Sequence, residues 1–215
     1  MHSGAHNDWP AFWDNNVRHL SPAQKTPFMK NFSIMSDILS DYYRTDRWDT
    51  PAKDVLEIGA GRGTISDMFK ARGCKTACTD LFIPGHYITI ETARKHRYIR
   101  HDILHDQPLD ETFDIIITYG LLEHFKTEDQ IGILHNVNSM LRRPGIEIHY
   151  IVPGKWTNRK ESNAVYRDSC KDILGLNYGL SDLTGIVHVF PYFKIMGWIC
   201  PKFFSKGFII WGGTA

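Results

Sequence analysis

The stretch VLEIGAGRGT, residues 55–64, reads as a short apolar strand that runs straight into three glycines, Gly59, Gly61 and Gly63. The residues after it, TISDMFKARG (64–73), have the pattern of a helix closed by Gly73. A glycine turn between a buried strand and a helix has a general physical use. Glycine admits dihedrals and close approaches that a Cβ forbids, and the helix start offers unpaired N–H groups at the positive end of its dipole. Cofactors that contain a nucleoside are held in this way.

The spacing narrows the choice. A dinucleotide fingerprint is G-x-G-x-x-G. Here the glycines alternate as Gly59-x-Gly61-x-Gly63, Thr64 stands where the third dinucleotide glycine belongs, and Glu57 lies two residues before the first glycine. A nicotinamide-dependent oxidoreductase remains an alternative that this loop opposes.

Outward from the loop, KTACTD (75–80) reads as a second strand and RYIRHD (97–102) as a third. FDIIITYG (113–120) is the clearest buried strand, because its apolar run is continuous and β-branched. TEDQIGILHNVNSML (127–141) opens with Thr127 and Gln130 in a capping-box pattern and places Ile131, Leu134, Val137 and Leu141 on one helical face. GIEIHYIVP (145–153) is a further strand, stopped by Pro153. Strands alternating with helices predict βαβ units and a largely parallel sheet. Before the loop, Phe28, Phe32, Met35, Leu39 and Tyr42 recur at helical spacing and predict an amphipathic helix over 28–43, followed by a loop from Thr45 to Pro51. Near the other end, VHVFPYFKIMGWI (187–199) and KGFIIWGG (206–213) are strand-like runs whose link is too short for a crossover helix, so they should be antiparallel neighbours.

Composition removes several function classes. With 25 basic and 24 acidic residues in 215, the net charge is +1, whereas a general binder of phosphate backbones carries a basic excess. Nucleic acid is not expected as a partner. Cys74, Cys78, Cys170 and Cys200 form no paired zinc spacing and lack the density of a disulfide-stapled domain, so reduced, mostly buried thiols and no metal are expected. The opening MHSGAHNDWPAFWDNN lacks the apolar core of a signal peptide, and no run approaches the ~18 apolar residues of a membrane span. A cytoplasmic protein without a membrane span is the expectation.

An acidic residue followed by G-x-G-x-G resembles the first motif of the class I, Rossmann-like S-adenosylmethionine-dependent methyltransferases, and the resemblance extends along the chain. Asp80 ends the second strand, where this family places an acidic side chain that accepts hydrogen bonds from both ribose hydroxyls. A carboxylate has two oxygens and suits a vicinal diol. Asp102, followed by Ile103, matches the family's adenine-contacting acidic residue. FDIIITYGLLEHF (113–125) looks like the fourth-strand segment of the small-molecule methyltransferases, including the quinone-biosynthesis type, in which a Leu-Glu-His triplet follows the strand. LRRPGIEIHYIVP (141–153) resembles the helix end and fifth strand.

The match covers residues 55–153 by motif and the tail by architecture. Two departures stand out. Ile146 occupies a place where the family often has a second glycine, and there is no Asn/Asp-Pro-Pro-Tyr element after the fourth strand, which disfavours DNA bases and many glutamine-type acceptors.

The resemblance implies an α/β fold: a Rossmann-like three-layer sandwich with a mainly parallel seven-stranded sheet and an antiparallel C-terminal strand. One domain over 1–215 would comprise an N-terminal helical lid or packing segment (1–50), a cofactor-binding core (55–153), a substrate-side insertion (154–185) and closing strands (186–215). It also implies S-adenosyl-L-methionine as cofactor, held by Glu57, Gly59, Ala60, Gly61, Gly63, Asp80, Leu81, Asp102, Ile103, Tyr119 and Gly120, with a small-molecule O, N or C acceptor.

Methyl transfer from a sulfonium is an in-line displacement in which the protein mainly aligns the acceptor and excludes water. A base is needed only where the acceptor loses a proton. His124, just past the fourth strand, is the candidate for that role, against the alternative that it caps or packs the following helix. Glu123 suits a structural or solvent-facing role. His149, Trp156 and Tyr166 are substrate-side candidates, although His149 and Tyr150 fall on opposite faces of their strand and packing roles suit both. Trp9, Phe12 and Trp13, then Tyr42 and Tyr43, suit a lid, against the alternative that 28–43 packs on the sheet. A catalytically silent member of the fold, acting as a cofactor- or partner-binding module, is the remaining alternative.

Overall fold

The computed structural model describes residues 22–49, 51–81, 96–125, 127–151, 184–189 and 207–214. Helix α1 (Pro22–Tyr43) precedes strand β1 (Asp54–Ile58), helix α2 (Thr64–Ala71) and strands β2 (Lys75–Asp80), β3 (Arg97–Arg100) and β4 (Phe113–Tyr119). A 3-10 turn (Leu122–His124), helix α3 (Thr127–Ser139) and strands β5 (Leu141–Ile151), β6 (Thr184–Val189) and β7 (Gly207–Thr214) follow. α1 starts earlier than the apolar periodicity predicts, because Pro22 suits a first turn where its missing N–H has no partner to lose.

The seven strands lie in the order β3-β2-β1-β4-β5-β7-β6. The pairs among β1 to β5 are parallel, and β7 runs antiparallel to both of its neighbours, β5 and β6. Six strands therefore share one direction and β7 opposes them. β6 begins at Thr184, ahead of the run read as a strand, and most of 187–199 lies outside the described residues.

Both faces of the sheet are covered, which explains why β4 reads as an unbroken apolar run. Ile115 and Ile117 pack with Met35 and Leu39 of α1 and Phe69 of α2. Ile116 faces the other way, against Leu134 and Val137 of α3. Trp48, in the loop after α1, is buried beside Phe69 and donates its indole N–H to Ser36 Oγ at 3.1 Å. Ile146, the departure from the family's glycine, is fully buried and paired with Ile115 and Gly213.

Two contacts orient α1. Tyr42 donates its hydroxyl to the Gly145 carbonyl (2.9 Å), near the start of β5, and Asn31 Nδ2 donates to the Tyr119 hydroxyl (2.6 Å), beside Tyr150. From Asn31 to Tyr42 a helix advances about 16 Å, and from Gly145 to Tyr150 a strand advances about 16 Å. The two lengths match, so α1 lies along the strands, antiparallel to them, with its N-terminal end at their carboxyl edge. A Cβ on Gly213 would fall 2.3 Å from Tyr42 Cε2, so only glycine lets β7 pass under that ring.

The amino edge is clasped. Arg142 bonds Asp114 (2.8 Å) and Asp54 (3.0 Å), Asp114 also accepts the Asp54 N–H (2.8 Å), and Tyr43 donates to the Asp114 carbonyl (3.3 Å). Arg142 is partly exposed, so each ion pair contributes about 1 kcal/mol or less.

Thr127 is the first residue of α3, and Gln130 Nε2 donates to the carbonyls of Leu122 (3.0 Å) and Phe125 (2.8 Å), tying α3 to the 3-10 turn. Cys74 and Cys78 are buried free thiols, while Cys170 and Cys200 lie outside the described residues. Among the described residues no helix is long and apolar enough to cross a membrane.

Candidate active site

Strand order reverses between β1 and β4, and open α/β sheets bind ligands at the carboxyl ends beside such a switch point. The glycine loop leaves β1 there. Gly59, Gly61 and Gly63 have φ of 66°, 50° and 67°, the left-handed region that side chains disfavour. A Cβ on Gly59 would fall 2.7 Å from Leu121 Cδ1, and one on Gly63 would fall 2.5 Å from the Tyr98 hydroxyl. The loop is thus pressed between the exit of β4 and the body of β3.

Hydrogen bonds lace the loop to the end of β2. Ala60 N–H donates to the Thr79 carbonyl (3.0 Å), Gly63 N–H to the Ala60 carbonyl (2.8 Å), and Gly61 N–H to Asp80 Oδ2 (2.8 Å). The Asp80 carboxylate has four lone-pair positions. Leu81, 43% exposed, presents an apolar side chain directly after it.

Glu57 lies beneath the loop. Its Oε2 accepts both the Ser66 N–H (2.8 Å) and the Ser66 hydroxyl (2.6 Å), fixing the first turn of α2. Burial pushes its carboxyl up from 4.5 to about 7, against the Ser66 bonds and with Asp67 and Asp80 adding to the rise. His96 reinforces the same turn, its ring bridging Thr76 Oγ1 (2.6 Å) and Asp67 Oδ1 (3.0 Å). Nothing in the sequence marked Ser66 or His96, since neither stands in a motif.

The raised value sets a pH dependence. Between the two values the folded chain keeps a proton on Glu57 that the unfolded chain has released. This residue's contribution is complete below about 4.5 and is lost as pH rises through about 7, a change of about 3 kcal/mol. Glu57→Gln keeps an acceptor for Ser66 and cannot ionise. Denaturant melts of the two proteins should give similar stability at pH 4 and a more stable variant at pH 8, by up to about 3 kcal/mol. A variant less stable than the wild type at pH 8 would show that the carboxylate is needed charged.

Asp102 and Ile103 carry local structure. Asp102 Oδ1 accepts the N–H groups of Leu104 (3.0 Å) and His105 (3.3 Å), forming the turn after β3. Ile103 is buried on the α3 side, and its carbonyl accepts from Asn136 Nδ2 at 2.8 Å. Across the crevice, Gly120 has φ 70° and donates its N–H to the Tyr150 carbonyl (2.9 Å). Tyr119 stacks on Phe28 and on Tyr150. His124 ends the 3-10 turn, half-buried, with its backbone N–H on the Leu121 carbonyl (3.1 Å).

His149 is placed away from this edge. It is 0% exposed, its Nδ1 lies 2.9 Å from Thr118 Oγ1, and its Nε2 lies 3.4 Å from Glu147 Oε1, so the substrate-side assignment gives way to the packing one. The cause is strand alternation, which sends Tyr150 towards α1 and His149 to the opposite face. Tyr42 and Tyr43 bond the carbonyls of Gly145 and Asp114 and pack on the sheet, so the packing reading replaces the lid for them. Trp156, Tyr166, Trp9, Phe12 and Trp13 lie outside the described residues. Among the described residues no group of three or more His, Cys, Asp or Glu side chains could hold a metal ion.

The methyltransferase domain family matches the chain over residues 14–178. The chain belongs to that family. Within it, an uncharacterized methyltransferase of Staphylococcus carnosus (strain TM300) is 25% identical over 137 residues, which take in 64% of this chain and 61% of that protein. The chain thus matches less than two thirds of that relative's length. Among solved structures, the methyltransferase fold is shared with magnesium protoporphyrin IX methyltransferase from Synechocystis PCC 6803, solved with bound S-adenosylhomocysteine (TM-score 0.63, 14% identity, 97% of this chain and 96% of that one). It is shared also with the N-methyltransferase NodS from Bradyrhizobium japonicum WM9 in complex with S-adenosyl-L-homocysteine (TM-score 0.64, 15% identity, 95% and 97%).

Proposed function

We propose that this methyltransferase-family chain uses S-adenosyl-L-methionine to methylate a small-molecule O, N or C acceptor. The observation that carries the reading is the glycine loop bonded to Asp80 at the β1/β2 carboxyl edge. The residues present fit a nucleoside cofactor: the loop has no side chain at its three left-handed positions, Asp80 offers a carboxylate for a vicinal diol, and Leu81 offers an apolar surface beside it. The two structural neighbours described above were solved with S-adenosylhomocysteine, which supports the same cofactor class here.

When bound, the cofactor supplies an electrophilic methyl group on a sulfonium. The remaining work falls to the chain. Asp80 and Asp102 hold the nucleoside end, with Leu81 and Ile103 beside them, and Glu57 acts on the loop through Ser66. Tyr119 and Gly120 flank the reacting end. Where the acceptor carries a labile proton, a ring nitrogen of His124 takes it as the acceptor's lone pair forms the new bond.

Thermal unfolding tests the cofactor. S-Adenosylhomocysteine at 100 times its dissociation constant should add about 2.7 kcal/mol. A shift with NAD and none with either sulfur compound would sink the reading. Asp80→Asn retains an acceptor for Gly61 N–H but loses the charge offered to the diol. Calorimetric titration should show S-adenosylhomocysteine bound about 10- to 150-fold more weakly, from about 1.5–3 kcal/mol lost with charged hydrogen bonds. Unchanged affinity would place the ribose elsewhere.

A further inference from the structure

Building on the methyl-transfer reading, we propose that Tyr119, held by Asn31, forms the acceptor-side wall of the site and selects a flat, uncharged aromatic acceptor. Position is the first support. Ile58 pairs with Thr118, so the last residue of β4, Tyr119, stands level with Gly59 across the switch point. The exits of β1 and β2 carry the glycine loop and Asp80. The exits of β4 and β5 remain for the second reactant.

Fixation is the second support. Asn31 is only 2% exposed, and its Nδ2 donates to the Tyr119 hydroxyl at 2.6 Å. Packing alone does not call for a buried amide, which has to be desolvated, whereas aiming a phenol does. The Tyr119 ring also stacks on Phe28 (centroids 5.2 Å, 27°) and on Tyr150 (4.4 Å, 25°), yet it stays half-buried. Its position is set from three sides while part of it remains open to solvent.

Shape and charge give the ligand class. α1 runs antiparallel to the strands, so from Asn31 back to Pro22 it projects about 13 Å beyond the level of Tyr119. The helix therefore overhangs the edge on the aromatic side. Phe28 and Tyr119, the half-buried members of this group, carry no formal charge, and aromatic rings favour stacked or edge-to-face partners. Asn31 is on this account a positioning residue that acts through Tyr119.

The test uses the whole chain, 2-naphthol and its saturated counterpart decahydro-2-naphthol, titrated calorimetrically with and without saturating S-adenosylhomocysteine. Wild type should bind 2-naphthol at least 10-fold tighter than the saturated alcohol. Tyr119→Leu should erase that preference, and Tyr119→Phe should retain it with weaker binding. Asn31→Leu should weaken 2-naphthol binding about fivefold and should add nothing in the Tyr119→Leu background. Equal binding of the two alcohols, a preference that survives Tyr119→Leu, or an undiminished Asn31→Leu effect in that background overturns the proposal. Failure of wild type to bind S-adenosylhomocysteine overturns the methyl-transfer reading instead, and the titrations without it still judge the wall.

Discussion

His124→Ala should lower turnover by about 100- to 10,000-fold, the usual worth of a positioned general base, while leaving cofactor affinity nearly constant. The expectation rests on geometry. The residue ends the 3-10 turn that leaves β4, on the far side of the switch point from Asp80, and its side chain is half-buried. That places it beyond the exit of β4, away from the exits of β1 and β2 that carry the glycine loop and Asp80. The competing role, a packing residue between the turn and α3, gives a different result: a lower melting temperature with near-normal specific activity in the folded fraction. Stability, S-adenosylhomocysteine affinity and turnover measured on one preparation separate the two. Near-normal turnover would remove His124 from the chemistry and leave alignment alone. Undetectable turnover in wild type against a broad acceptor panel, with cofactor bound, would favour the silent module.

Gly63→Val should be the most damaging single change in the cofactor loop. Gly63 holds φ 67°, where a side chain costs about 1–2 kcal/mol and a β-branched one more. The new Cβ would also arrive 2.5 Å from the Tyr98 hydroxyl, with Cys78 Sγ and His96 each 3.4 Å away. Displacing packed neighbours adds about 1–3 kcal/mol. A loss of about 3–5 kcal/mol is expected in denaturant melts, with cofactor binding lost in whatever remains folded. Gly132→Ala is the matched control. That glycine lies within α3, and nothing stands within 4 Å of a Cβ built there, so alanine should stabilise by about 0.4–1 kcal/mol. If the two variants melt together, the left-handed loop is not the constraint described here.

Much of this was legible because burial on both sheet faces leaves long β-branched runs. FDIIITYG announced β4, and the alternating glycines announced the loop. Other features had no such signal. Trp48 is a lone aromatic in a polar stretch, so no period revealed its burial. β5 begins at Leu141, before Pro144, although a proline normally argues against a strand interior. Glu147 and His149 are both 0% exposed in the same strand, and two-sided burial gives no alternation from which to tell interior from edge. Asn31 did leave a trace, a polar residue three positions after Phe28 within the apolar stripe of α1, but its partner Tyr119 is far away in sequence. Such pairings become visible only once the sheet has brought them together.

The seat of Tyr42 has a consequence for the order of events during synthesis. Its ring lies against Gly213 and its hydroxyl on Gly145, so the surface that receives α1 is built from strands translated long after it. Helix propensity can form α1 early, but the ribosome must deliver β7 before that helix has its full berth. Until then the end of the helix around Tyr42 stays uncovered, although Met35 and Leu39 already have Phe69, Ile115 and Ile117 to pack on. Full-length chains and chains truncated before residue 207 should differ sharply in protease protection of α1.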